Sequence, residues 1–203
     1  RVTTHGRASH ASSPEQGRNA INAAARIIFE AELLIPRLLN DPFLGPGSLA
    51  VTQIESVSSS RNAIPVACTF YVERRLTLGE TEAKALAEIQ QIVARERLRA
   101  DITVSEWDVE SYTGYRAQVR DSYPAWVIPE SHRLVQSASQ AVKQALGYRP
   151  RLERWGFSTD GVYTMGVAGI PTIGFGPGEE KNAHTVDDQV KVDDLVAAAQ
   201  VYA

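Results

Sequence analysis

Cysteine, net charge and long apolar runs are all scarce in this sequence, and each shortage excludes something. Its 203 residues include one cysteine, Cys68, which rules out an internal disulfide and fits a reducing, cytoplasmic setting. No apolar stretch approaches the ~20 residues that a membrane-spanning helix needs. A net charge of -3 and a pI of about 5.8 leave no basic surface for nucleic acid or an anionic membrane. Paired cysteines, HExxH and H-x-D are missing, so no metal centre is expected at the usual spacings. There is no G-x-S-x-G elbow, phosphate loop, internal repeat or low-complexity tract. What remains is 43% hydrophobic and 22% charged, ordinary for one large or two small globular domains.

The first half reads strand, helix, strand, strand, helix, strand. Residues 1–9 look extended. Ser13-Pro14-Glu15-Gln16 predicts a helix start, with Ser13 as N-cap, Pro14 at the first helical position and Gln16 closing a capping box. Ala20, Ile21, Ala24, Ile27, Ile28, Ala31, Leu34 and Ile35 then recur at helical spacing until Pro36. Residues 40–48 form a Pro- and Gly-rich loop, 49–56 a strand and 57–62 a polar linker. Beyond Val66 the chain alternates, with Cys68, Phe70 and Val72 on one face and Thr69, Tyr71, Glu73 and Arg75 on the other. This makes Cys68 a buried packing residue. Gly79-Glu80 lead into a helix with Leu86, Ile89, Ile92 and Val93 as its stripe, and a last strand is expected over 102–109. The order βαββαβ predicts a ferredoxin-like unit: an antiparallel sheet with both helices on one face and the other face polar.

Residues 108–122 lack clear periodicity, and Tyr123-Pro124 marks a hinge. A helix over 131–146, a short strand over 151–155, a helix from about Ser158-Thr159-Asp160, a buried strand over 170–175 and a helix from about Val192 are expected to follow. Alternating β and α units imply a parallel sheet, with too few strands for an independent doubly wound domain. Val2-Thr3-Thr4 enters without a turn and the last helical pattern still runs at Ala203, so the sequence reads as a piece of a larger protein.

Among four histidines, His184 is the most informative, because it lies in a glycine-punctuated loop, 174–188, leaving a predicted buried strand. One imidazole does not make a metal site, and the neighbouring Glu179-Glu180 read as solvated charges. His5 and His132 read as surface residues, and His10, by spacing alone, as a loop histidine. Arg75 ends a polar strand face, where a guanidinium can grip a carboxylate through two hydrogen bonds or merely pair with Glu73. Asn62 is a substrate contact or a turn residue; Ser158-Thr159-Asp160 form an anion site or a plain N-cap.

In order, Ala8-Ser9-His10-Ala11 through Ile21, Asn62-Ala63-Ile64-Pro65, Glu73-Arg74-Arg75, Phe157-Ser158-Thr159-Asp160-Gly161 and Gly176-Pro177-Gly178 through Asp188 resemble the di-zinc metallopeptidase and deacylase superfamily of aminoacylases, carboxypeptidase G, acetylornithine deacetylase and succinyl-diaminopimelate desuccinylase. Glu73 stands where that family usually has Asp. The resemblance implies an α/β fold: a ferredoxin-like lid and dimerisation domain over 1–118, and over 119–203 the C-terminal part of a zinc-hydrolase catalytic domain. It implies His184 as a metal ligand and His10 as a catalytic hydrogen-bond donor to the oxyanion in the partner subunit's site. Asn62 and Arg75 would hold the substrate's carboxylate end, and Ser158, Thr159 and Gly178 would line the pocket. The implied cofactor is zinc, two per site, with cobalt or manganese as substitutes, and the implied assembly is a homodimer through the lid. The implied reaction is metal-hydroxide attack on the amide of a small N-acyl amino acid or dipeptide-like substrate with a free carboxylate. The family's H-x-D motif, bridging Asp and Glu-Glu pair would lie upstream of Arg1, so the chain alone is expected to be inactive. The alternative is a non-catalytic dimerisation or small-ligand-binding module.

Overall fold

A computed structural model describes all 203 residues, and they form two compact units, Arg1–Ser122 and Tyr123–Ala203. In the first, strands β1 (Val2–His5), β2 (Ser48–Val57), β3 (Ala67–Arg75) and β4 (Ala100–Ile102) make one antiparallel sheet in the order β2-β3-β1-β4. Helices α1 (Ala20–Glu32) and α2 (Glu82–Arg95) pack against it. Alternation decides which face they cover. Val2, Leu49, Cys68 and Phe70 point into a core completed by Ala24, Ile27, Ala31, Ile89 and Ile92. This is the expected ferredoxin-like arrangement, and Cys68 is buried in it as a free thiol whose pKa burial pushes up. Thr4 is the polar member of the buried face; its hydroxyl donates to the carbonyls of Ala20 and Cys68, at 2.8 and 3.1 Å, tying α1 to the sheet.

The start of α1 differs from the prediction. Ser13 precedes only one turn of 3-10 helix, Pro14–Gln16, and makes no capping bond, because Gly17 is extended and breaks the run. The real cap is Asn19, whose Oδ1 accepts from the amides of Ile21 and Asn22. The predicted strand over 102–109 also divides. β4 stops at Ile102, and Glu106–Glu110 (β5) pairs instead with Arg116–Arg120 (β6) in a hairpin turned at Ser111–Tyr115. Arg120 ties the hairpin back to α2 through Glu82, whose carboxyl it holds below its usual pKa together with Ser122.

In the second unit α3 (Arg133–Leu146), capped by the His132 ring and ended by left-handed Gly147, packs on α4 (Val192–Tyr202). Between them lies a π-helical turn, Val162–Val167. The predicted strands over 151–155 and 170–175 do not form, and neither does a parallel sheet. A strand exists only where a neighbour takes its backbone hydrogen bonds, and neither segment finds one in this chain. Large rings fill the space over glycines instead: Trp155 lies over Gly174, and Trp126 over Gly161, where a Cβ would collide with the indole. No helix is long and apolar enough to cross a membrane.

Candidate functional site

His10, Asn62 and Arg75 belong to the first unit; Ser158, Thr159, Gly178 and His184 belong to the second. In the first unit the loop after β1 returns on itself through reciprocal Arg7–Arg18 backbone bonds of 2.8 and 2.9 Å. Gly6 makes this possible, since a Cβ there would strike the carbonyls of Arg18 and Pro65. The loop is then stitched to residues 62–64: Ala11 N–H donates to the Asn62 carbonyl at 2.8 Å and Ile64 N–H to the Ser9 carbonyl at 2.9 Å, with His10 opposite Ala63. Two motifs more than fifty residues apart therefore sit side by side at one end of the sheet.

The His10 ring is exposed, and its polarity is set locally. Ser12 N–H donates to Nδ1 at 3.1 Å, and the Ser12 hydroxyl lies 2.7 Å from the same nitrogen. With Nδ1 accepting from the Ser12 amide, the ring proton sits on Nε2, which is left as an N–H donor.

Arg75 lies at the opposite end of β3, about 26 Å of strand away from Ala67. It pairs with Glu73 at 2.9 Å, the bland outcome, and more than half of its side chain stays exposed. Its neighbour Arg74 is the buried one, and spacing alone did not single it out. Arg74 donates to Glu80 at 2.5 Å and to the Arg75 carbonyl at 2.7 Å, and Glu80, 1% exposed in its side chain, also accepts from the Thr77 and Leu39 amides. Burial alone would raise the Glu80 pKa; Arg74 and these amides outweigh it and hold the carboxyl below its usual value. This network fixes the strand end from which Arg75 projects.

In the second unit, two segments that carry predicted site residues are clasped together. Gly156 N–H donates to the Glu180 carboxylate at 2.6 Å, and the Phe157 ring meets the His184 ring edge-to-face. Glu180 is thus a tether rather than a solvated charge; Glu179 pairs with Lys181, which lowers its pKa. The Thr159 hydroxyl accepts from Gly161 N–H at 3.2 Å in a local turn, while the Ser158 hydroxyl is exposed and uncommitted. Gly178 has φ +98°, a left-handed geometry that demands glycine. His184 is exposed with neither ring nitrogen hydrogen-bonded, so its chemistry suits one metal ligand. No group of three or more His, Cys, Asp or Glu in the chain could hold a metal ion alone. His5 pairs with Asp101 at 2.7 Å, and His132 caps α3, so both are structural.

The four-stranded antiparallel sheet under two helices makes the first unit a ferredoxin-like domain. Residues 1–101 match the M20 peptidase dimerisation domain, so the first unit belongs to that domain family. It is 38% identical over 203 residues to the uncharacterised Escherichia coli protein YgeY, covering 100% of this chain and 50% of that one. It is 25% identical over 201 residues to a succinyl-diaminopimelate desuccinylase of Hydrogenovibrio crunogenus, covering 99% and 48%. The aminopeptidase PepT of Bacillus cereus shares the fold, with a TM-score of 0.66 at 21% identity, over 99% of this chain and 48% of that one. The chain spans about half the length of the curated relatives it matches.

Proposed function

We propose that this chain supplies the lid and part of the active site of a metal-dependent hydrolase that cleaves amide bonds in small N-acyl amino acids or dipeptide-like substrates. The observation that carries this reading is the Ser12 amide on His10 Nδ1, which presents Nε2–H as a neutral donor. Such a donor stabilises the oxyanion of a tetrahedral intermediate, charge that develops only as the amide is attacked. The metal pair, zinc in this reading, supplies Lewis acidity when bound, and His184 is the ligand this chain contributes. Ser158 and the Gly178 turn border the substrate, and Arg75 binds its carboxylate.

Asn62 stands beside His10, whereas Arg75 lies a strand length away, too far for one small substrate to touch both within one lid. The reading therefore has His10 and Asn62 reach the partner's site while Arg75 serves another. It rests on a homodimer, which two surfaces favour. β2 is a ten-residue edge strand with one side unpaired, and α1 and its C-cap carry the exposed apolar residues Ile21, Phe29 and Leu33. Light scattering that finds only a 22.2 kDa species of this chain at micromolar concentration argues against the dimer.

The test uses the full-length protein. His10→Ala keeps its metal and loses ~100–1,000-fold in kcat, whereas His184→Ala loses metal. In a mixed dimer, the His10→Ala subunit keeps its metals and receives His10 from its partner, so one site revives. An inactive mixture with subunit exchange verified places His10 in its own chain's site or outside catalysis.

A further inference from the structure

We propose that Phe157 is the positioning residue for the His184 imidazole. The inference rests on reading His184 as a metal ligand, and it adds what aims that ligand. His184 has φ +61°; Arg97, in the turn after α2, is the only other non-glycine residue with positive φ. The backbone around His184 is pinned in this conformation. Ala183 N–H donates to the Glu180 carbonyl at 3.1 Å, and Asn182 O accepts from the Thr185 amide at 3.2 Å and from its hydroxyl at 2.8 Å. The side chain has no such support. It is exposed and makes no hydrogen bond, and its one ring contact is Phe157, 6.4 Å between centroids at an interplanar angle of 75°.

A metal-ligating imidazole is ordinarily oriented by a carboxylate or carbonyl on its second nitrogen. Here an aromatic ring takes that place. An edge-to-face contact restricts the imidazole while leaving both nitrogens open, which a hydrogen-bonding partner cannot do. Phe157 is itself held, because the Gly156 amide next to it is bound to Glu180 at 2.6 Å on the loop that carries His184. One polar and one aromatic clasp therefore join the same two segments, and the aromatic one acts on the ligand.

Two measurements test this. The first needs no metal: in this chain, Phe157→Leu shifts the His184 ring-proton resonances through the lost ring current and leaves those of His132 unchanged. Unmoved His184 resonances overturn the contact itself. The second is zinc affinity of the full-length protein by competition with a chromophoric chelator, for Phe157→Leu, Phe157→Met and Phe157→Tyr. The Leu and Met variants bind about 2- to 10-fold more weakly, and Tyr, which keeps the ring, binds like the parent. Equal affinity in all three, or equal loss in all three, overturns the positioning role. His184→Ala separates this failure from that of the underlying reading: if it binds zinc as tightly as the parent, His184 is not a ligand.

Discussion

In residues 1–122, Phe70, Cys68 and Ile27 are wholly buried between a four-stranded sheet and two helices. In residues 123–203 the buried apolar side chains are Val135, Val142 and Ala198, all on helices, while Ile170 and Val186 are largely exposed. Both stretches have the apolar content for a core. What separates them is strand pairing: β1 has a neighbour on each side, and 170–175 has none. An apolar run is buried when its backbone can be satisfied in the same place.

The largest test of this contrast divides the chain between its two units. Residues 1–122 alone should melt in one cooperative transition, and residues 123–203 alone should show none and exchange their amides rapidly. A sharp calorimetric transition in the second piece breaks the comparison. Next in size, Phe70→Ala should lower the stability of the lid by about 3–5 kcal/mol in urea melts. Ile170→Ala, in the second unit, should change stability by less than about 0.5 kcal/mol.

Glu80→Gln should cost about 3 kcal/mol, because it leaves the buried Arg74 guanidinium with only the more distant Glu88 carboxylate, at 3.5 Å, as a charge partner. The parent should also lose lid stability in acid. Glu80 has a lowered pKa in the folded state, so its contribution is full above the unfolded carboxyl value near 4.5 and disappears as pH falls through the folded one. That slope is at most about 1.4 kcal/mol per pH unit, and a melt series from pH 6 to 3 should find it reduced in Glu80→Gln. The smallest expected effect lies in the second unit. Gly174→Ala should displace the Trp155 ring, seen as a shift in tryptophan emission with the lid transition unchanged.

The lid was largely legible in the sequence because its signals are local and periodic. The alternation through Cys68, Phe70 and Val72 and the apolar spacing of Ala24, Ile27 and Ala31 state both the element and its buried face. The start of α1 was misplaced because Ser13-Pro14 is a sound helix opening that Gly17 cancels four residues later. The hairpin was missed although Glu106-Trp107-Asp108-Val109-Glu110 and Arg116-Ala117-Gln118-Val119-Arg120 alternate as mirror images around Thr113. In the second unit, strand-like composition at 170–175 carried no information about a missing partner. Of the candidate site, His10 and Asn62 were legible as motifs, but their juxtaposition depends on a two-bond backbone stitch. Phe157 lies within a motif; its place beside His184 depends on a φ value that no pattern announces.

Arg74 and Arg75 are identical letters next to each other, and they will not share an evolutionary fate. Arg74 is enclosed with Glu80 and lies 3.5 Å from Glu88, so replacing it strands two carboxylates, one of them buried. Arg75 stands at the rim, and its contact with Glu73 is a surface one that can be lost cheaply. If the proposed function holds, a laboratory selection for new carboxylate specificity should therefore collect replacements at Arg75 early and independently. Arg74 should stay silent.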